Sequence, residues 1–245
     1  MSISDKINEH INKGLIKTNK KEKPRNYIGA SYLGYPCSRK IQYMWRNIPR
    51  DSARELSGKV LRIFKLGDKY EELTIEWLEK AGFELETRDK DGNQLGFTAL
   101  DDSMKGHIDG IIVSGPKEIS YPRLWECKSM NVKKFSYFQT CGVESSHPHY
   151  YSQVQLYMHM MDLKNNPAIL TGVNKENGDM HHEEIIFNSK HSKDLIEKAK
   201  DIITKTKEHE WMHRRYRSRD AFECRYCDWQ DRCWRGEWII PWTNR

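Results

Sequence analysis

Two short apolar runs carry charges that strand cores ordinarily exclude, and they constrain this chain more than any other feature. One is Gly106-His107-Ile108-Asp109-Gly110-Ile111-Ile112-Val113; the other is Leu124-Trp125-Glu126-Cys127-Lys128-Ser129. Strand side chains alternate between faces, so Glu126 and Lys128 point one way while Trp125 and Cys127 point the other. A carboxylate and an ammonium inside a buried strand are costly unless they pair or bind a metal. Asp109, from a neighbouring strand, would complete a divalent-cation site with a lysine beside it. A plain salt bridge between Glu126 and Lys128 is the alternative.

The surrounding pattern predicts an α/β fold with a mixed central sheet flanked by helices. Residues 60–81 have helical periodicity. Val60, Phe64, Gly67, Thr74 and Leu78 share one face, and Ile63, Tyr70, Trp77 and Ala81 lie beside it. Strand-like segments follow at 83–88, 94–100, 105–113 and 122–129, then a helix at 148–161. Segments 168–174 and 180–188 flank Glu176-Asn177-Gly178-Asp179, a good hairpin turn. A charged helix over 192–216 leads to the C-terminal cysteines. Residues 1–26 form a polar arm, and a short helix after Cys37 has Ser38 as its expected cap. The expected organisation is an N-terminal arm at 1–59, a core at 60–217 and a cysteine segment at 218–245.

Chain length and charge narrow the chemistry. At 245 residues the chain can hold one sizeable core with a small appended module. No apolar run approaches a membrane span, and the lysine-rich N-terminus lacks a hydrophobic signal core. These features place the protein in the cytoplasm, or the host cytoplasm if viral, without membrane association. The net charge of +6 gathers at residues 13–25 and 213–219, which suits a polyanion or simply a solvated tail and helix end.

Further candidates surround the acid–acid–lysine set. Glu71 falls inside the apolar stripe of the first helix, next to Gly67, which marks it as functional unless it snorkels from the edge. His107 lies two residues before Asp109 and would share its face as a metal or phosphate ligand. Gln153 and Tyr157 are spaced i, i+4 on the 148–161 helix and can contact substrate or organise the site, although Tyr157 by itself reads as core. Two carboxylates suit Mg²⁺ or Mn²⁺, and the backbone carbonyl of Cys127 lies between the functional side chains as a further ligand. The metal would polarise a phosphoryl oxygen, with Lys128 positioning the attacking water.

In order along the chain, Gly67-x3-Glu71, Gly-His-Ile-Asp109-Gly, Glu126-Cys-Lys128 and Gln153-x3-Tyr157 resemble the PD-(D/E)XK nuclease superfamily, specifically its RecB-like exonucleases. The resemblance covers roughly residues 60–160. It implies that Asp109 and Glu126 bind metal, that Lys128 is catalytic, and that Gln153 and Tyr157 serve the substrate. Many relatives carry a histidine in the first helix where this chain has Asp68, which lies outside the stripe; Glu71 takes that role here.

Cys37, followed much later by Cys224-x2-Cys227-x5-Cys233, looks like the iron–sulfur staple of CRISPR-associated Cas-four-type exonucleases and AddB-like helicase–nucleases. Four thiolates can hold a 4Fe–4S cluster or zinc. Zinc sites usually come as two close cysteine pairs, so the distant first ligand favours the cluster, in a subdomain formed by both chain ends. Cys127 reads as a core packer and Cys141 as an incidental thiol. Trp234, Trp238 and Trp242 would cover the cluster. The resemblance implies an exonuclease trimming single-stranded or frayed DNA ends in CRISPR adaptation, recombination or phage DNA metabolism, alongside proteins of those pathways. A restriction-type endonuclease on the same core, or a zinc-stabilised DNA-end-binding adaptor, are the rival readings.

Overall fold

Capping residues and apolar periodicity set the first helices. The computed structural model describes residues 1–235; Trp238, Trp242 and the end of the 218–245 segment lie outside them. Helix α1 (Ile3–Asn19) opens with a reciprocal Ser2–Asp5 capping box. Strand β1 (Ile28–Gly29) precedes α2 (Ser38–Trp45), and α3 (Gly58–Lys80) starts where the Ser57 hydroxyl accepts the Val60 N–H. The cap of α2 is Cys37 with no side-chain hydrogen bond, not Ser38, which is already helical.

Strands β2 (Glu84–Glu86), β3 (Gly96–Ala99), β4 (Met104–His107), β5 (Gly110–Ser114) and β6 (Arg123–Met130) come next. The expected single strand over 105–113 is in fact two. β4 lies in a three-stranded sheet ordered β1-β4-β3, whereas β5 lies in a five-stranded sheet. Ile108 and Asp109 are the crossing between the sheets, and the Ile108 N–H leaves the first by bonding Leu95 O at 2.9 Å. An alternating apolar pattern does not reveal such a break, because both strands continue it.

Helices α4 (Val132–Ser146) and α5 (Pro148–Met160) then connect to β7 (Ala168–Asn174), followed by β8 (Met180–Ile185). The larger sheet has the order β2-β5-β6-β7-β8, with β6 parallel to β7 and its other neighbours antiparallel. It is a mixed sheet, as the pattern requires of a helical crossover. The β7–β8 turn is the expected one, with Gly178 at φ +83°. No expected element corresponds to α4. Its polar surface hides Phe135 and Phe138, both buried, and a kink at Gly142 (φ +69°) is held where Glu183 accepts the Val143 N–H at 2.8 Å.

The larger sheet is covered on both faces. Leu124, Met130 and Leu170 share the main core with Phe138 of α4 and Leu156 of α5. Trp125, Cys127, Ile112 and Val173 form a second core with Tyr70, Ile75 and Leu78 of α3. Trp125 is fully buried and donates from Nε1 to Thr171 Oγ1 at 2.9 Å. Burying a side chain of this size contributes about 1.5–3 kcal/mol. The apolar stripe of α3 is therefore divided. Its second half packs on the sheet, while Ile63 and Phe64 stay exposed beside a cleft.

Helix α6 (Ser189–Lys207) ends nine residues before the expected 216 because the chain turns at His209 (φ +62°). The following segment runs back to α2 and leads to α7 (Phe222–Arg225) and α8 (Gln230–Trp234). Early and late chain are tied by hydrogen bonds. Gln42, fully buried, donates to Thr206 Oγ1 (2.9 Å) and Glu210 O (2.7 Å), and accepts from Met212 N–H (2.8 Å). Trp229 Nε1 donates to Ile48 O, and the Asp51 carboxylate accepts the Asp231 and Arg232 N–H groups. Among the described residues no helix is long and apolar enough to cross a membrane.

Replacing Gln42 by leucine keeps its volume but leaves the Met212 N–H and Glu210 carbonyl unpaired, at about 1–3 kcal/mol each. Thermal unfolding should show a Tm lower by roughly 4 °C or more. An unchanged Tm would show that the late segment is not held by this residue.

Candidate active site

The fold brings seven of the charged and polar candidates, Glu71, His107, Asp109, Glu126, Lys128, Gln153 and Tyr157, to one cleft of about 730 Å³. β6 presents Glu126 and Lys128 toward α5, which returns Gln153 and Tyr157 to the same place. Asp109 arrives from the crossing between the two sheets, and Glu71 from the wall formed by α3. The strand break explains why Asp109 is available: with no ladder partner of its own there, its carboxylate Oδ2 accepts the Cys127 N–H at 2.8 Å.

Glu126 is 1% exposed and is the most constrained of the acids. Its Oε1 accepts both Lys128 Nζ and Gln153 Nε2, each at 2.5 Å. Its Oε2 is buried and meets no donor group among the described residues, while the Asp109 carboxyl is within hydrogen-bonding reach of the Glu126 side chain, so the two acids can share a proton. Lys128 Nζ also stands 3.9 Å from Asp109 Oδ2. Two carboxylates thus share one ammonium, with Glu71 lining the same cleft. Burial, then the repulsion of Asp109, pushes Glu126 above the usual carboxylate range. The same two causes push Glu71 up to about 7. Burial works against the Lys128 charge, but Glu126 and Asp109 outweigh it and hold the lysine above its ordinary value, so it keeps its proton. A buried oxygen without a donor is expensive, and an excess of negative charge around it is the condition that a hard cation relieves.

Among the described residues no group of three or more His, Cys, Asp and Glu side chains, neither these acids nor the four cysteines, is placed so as to hold a metal ion. The donor chemistry nevertheless fits Mg²⁺ or Mn²⁺: all-oxygen carboxylates, one with a buried oxygen that meets no donor, and the Cys127 backbone lining the same cleft.

The remaining candidates divide clearly. His107 lines the cleft and is exposed, but it ends β4 and does not share a strand with Asp109, so the expected common face does not exist. Asp68 also lines the cleft, paired with Lys65 at 3.0 Å. Tyr157 is both things at once: 3% exposed, packed edge-on against Phe97 with ring centroids 5.6 Å apart, and part of the cleft wall. Cys127 is a core packer, as expected; its Sγ touches Thr74 Oγ1, and burial, then Asp109, pushes the thiol up to about 12. Tyr150 escaped sequence reasoning, although Lys128 Nζ lies 5.5 Å from its ring centroid. Only its position one turn before Gln153, on the same helix, hinted at it. Arg25, Lys105, Lys134 and Lys175 ring the cleft from four different elements or loops, and no local motif joins them.

His147 and His149 are not surface residues. His147 is 5% exposed and stacks on Tyr150 at 5.4 Å, and the half-buried His149 ring lies tilted 4.0 Å from Tyr150, with burial and then His147 lowering its pKa to about 4.

Cys37, Cys224, Cys227 and Cys233 line one largely apolar cavity of about 420 Å³ away from this cleft. All four are free thiols, and burial raises Cys224 and pushes Cys227 up to about 11. The basic stretch 213–219 lies here through Arg214, Arg215 and Tyr216, with Arg214 4.7 Å from the Trp234 ring centroid. It does not line the cleft of Glu126, whereas Arg25 of the first basic stretch does.

The family model of the PD-(D/E)XK nuclease superfamily matches residues 35–234. Among solved structures the fold is similar to LHK-Exo, an alkaline exonuclease from Laribacter hongkongensis. The TM-score is 0.52 at 10% identity, over 76% of this chain and 90% of that one. A structure of LHK-Exo in complex with dAMP gives 0.49 at 12% identity, over 75% and 89%. A structure described as SSO0001 gives 0.47 at 16% identity, over 98% of each chain. A comparison with curated proteins finds no match.

The raised Glu71 pKa makes a test of the charge crowding. Its ionised form is disfavoured in the folded protein, so stability is lost as pH rises from the unfolded carboxylate range, about 4.3, to about 7. In the presence of a chelator, Glu71→Gln should melt close to wild type at low pH and roughly 2–4 °C higher at alkaline pH. A difference that does not grow across that window would reject the crowding.

Proposed function

The chain belongs to the PD-(D/E)XK nuclease superfamily, and on that footing we propose that it is a divalent-metal-dependent deoxyribonuclease centred on Asp109, Glu126 and Lys128. The single observation that carries this reading is the buried Glu126–Asp109 acid pair beside a protonated Lys128 in one open cleft. A salt bridge alone would need one acid; two buried acids on one lysine, with Glu71 in the same cleft, are costly without a cation.

Asp109 and Glu126, with the Cys127 carbonyl and Glu71 as further oxygens, would hold Mg²⁺ or Mn²⁺, which supplies charge neutralisation at the scissile phosphate and a more acidic water. The protein residues do the rest. Gln153 fixes the Glu126 carboxylate, so that Oε2 stays directed away from its Lys128 and Gln153 partners. Lys128 keeps its proton and can donate a hydrogen bond to the attacking water or a phosphoryl oxygen. Tyr150 walls one side of the ammonium. Arg25, Lys105, Lys134 and Lys175 receive the flanking phosphates. We extend the reading to exonucleolytic action on single-stranded or frayed ends, which suits a cleft whose cations surround one reaction centre and do not spread along a duplex-sized face.

The four cysteines of the apolar cavity complete the reading as ligands of a 4Fe–4S cluster, with zinc as the other occupant of such a donor set. The group would supply a cross-link between α2 and the segment after α6, where hydrogen bonds already join them.

End-labelled linear single strands and covalently closed single-stranded circles test the first part with Mg²⁺ or Mn²⁺. Asp109→Ala, Glu126→Ala and Lys128→Ala should each lower cleavage by about a thousandfold while retaining strand binding. Circles should survive. Near-normal activity of Lys128→Ala would overturn the assigned centre, and rapid loss of circles would overturn the end requirement.

Anaerobic purification tests the second part. Iron and sulfide should be present in wild type and in Cys141→Ala, and be lost with a lower Tm in Cys37→Ala or Cys227→Ala. Stoichiometric zinc without iron would replace the cluster by zinc; no metal in wild type would remove the cross-link altogether.

A further inference from the structure

A second groove opens from the catalytic cleft and has no part in the chemistry described so far. Arg25 and Tyr27 line both spaces. The groove, about 570 Å³, is also lined by Lys20, Tyr32, Asn47 and Arg50. Its lining holds three cations against one acid, Glu55. Two of its aromatic rings already carry cations. Arg25 lies 5.8 Å from the Tyr32 ring centroid and donates to its hydroxyl at 3.3 Å, while Lys105 Nζ lies 5.6 Å from the centroid of Tyr27.

The groove is built on a rigid base. Tyr43 and Trp229, both buried, form its floor. Asp228 holds the Arg50 guanidinium at 2.9 Å, against the Trp229 ring. Asn47 donates to the Arg25 carbonyl at 2.8 Å and fixes the bend between the two spaces. Gly29 lies under the Arg25–Tyr32 pair; a Cβ there would come within 3.1 Å of Arg25 Nη1 and 3.3 Å of the Tyr32 ring.

We propose that this groove is a binding track for the single-stranded DNA that continues from the scissile phosphate past Arg25 and Tyr27. Alternating cations and tyrosine faces are the chemistry of an unpaired polynucleotide: phosphates take Lys20, Arg25 and Arg50, and bases stack on Tyr27 and Tyr32. A duplex offers no free base faces, so the track selects an unpaired strand. The inference rests on the reading of the cleft as a nuclease centre, because continuity with that centre gives the groove its ligand.

Two single variants test it: Lys20→Glu on the exposed end of α1, and Tyr32→Leu, which keeps apolar bulk but removes the ring. Both are assayed on a linear single strand of about a dozen nucleotides. Each variant should raise KM about fivefold or more and leave kcat within about twofold, since only binding outside the reaction centre changes. Lys20→Glu should also flatten the salt dependence of binding, by about 0.7 or more in log–log slope. Binding to the same strand in chelator, read by fluorescence anisotropy, separates the two claims. Weakened binding by the variants of a wild type that never cleaves would keep the track and remove the nuclease reading. Wild-type KM and affinity in both variants, with cleavage intact, would remove the track and keep the nuclease. A matched fall in kcat with unchanged KM would also overturn the track.

Discussion

The site depends on burying Glu126 in a strand between two helical layers. A lone carboxylate at 1% exposure is costly, and Lys128 two residues on and Gln153 from α5 offset part of that cost, although burial and Asp109 still hold Glu126 above the usual carboxylate range. That arrangement fixes much else. β6 must run beneath α5 for Gln153 to reach it, so two helices, α4 and α5, fill the crossover to the parallel strand β7. Asp109 must come from a strand neighbour without becoming a ladder residue, and the change of sheet at Ile108–Asp109 provides this. The acids of the cluster lie close together, and burial, then the charge of Asp109, raises Glu71 and Glu126.

The second organising feature is the meeting of the chain's two ends. Gln42, Asp51 and Trp229 join segments more than 160 residues apart, using backbone groups that would otherwise be unpaired. The same packing brings Cys37 to the cavity of Cys224, Cys227 and Cys233 and builds the floor of the groove that leads from the cleft. Any metal at those thiols would therefore reinforce a scaffold that the protein's own hydrogen bonds already define.

Local chemistry was legible in the sequence wherever one segment contained the whole signal. Alternation in residues 124–129 placed Glu126 and Lys128 on one face and Trp125 and Cys127 on the other. Helical spacing put Glu71 in a stripe and paired Gln153 with Tyr157, and Glu176-Asn177-Gly178-Asp179 announced the β7–β8 turn. These features are fixed by backbone periodicity, which a single segment carries by itself.

What depended on distant partners was decided only by the tertiary structure. The break between β4 and β5 lies inside one unbroken apolar pattern, because each half satisfies a different sheet. The α3 stripe reads as one face, yet Ile63 and Phe64 line open space; periodicity says which residues share a face and not what covers it. Tyr150, Lys105, Lys134 and Lys175 reach the cleft from separate places in the chain, and basic residues 213–219 went to the cysteine cavity instead. Sequence alone thus determined the acid–acid–lysine set and the faces it occupies. The fold determined which oxygen meets no donor and where the cations stand, because those follow from packing between segments that share no local pattern.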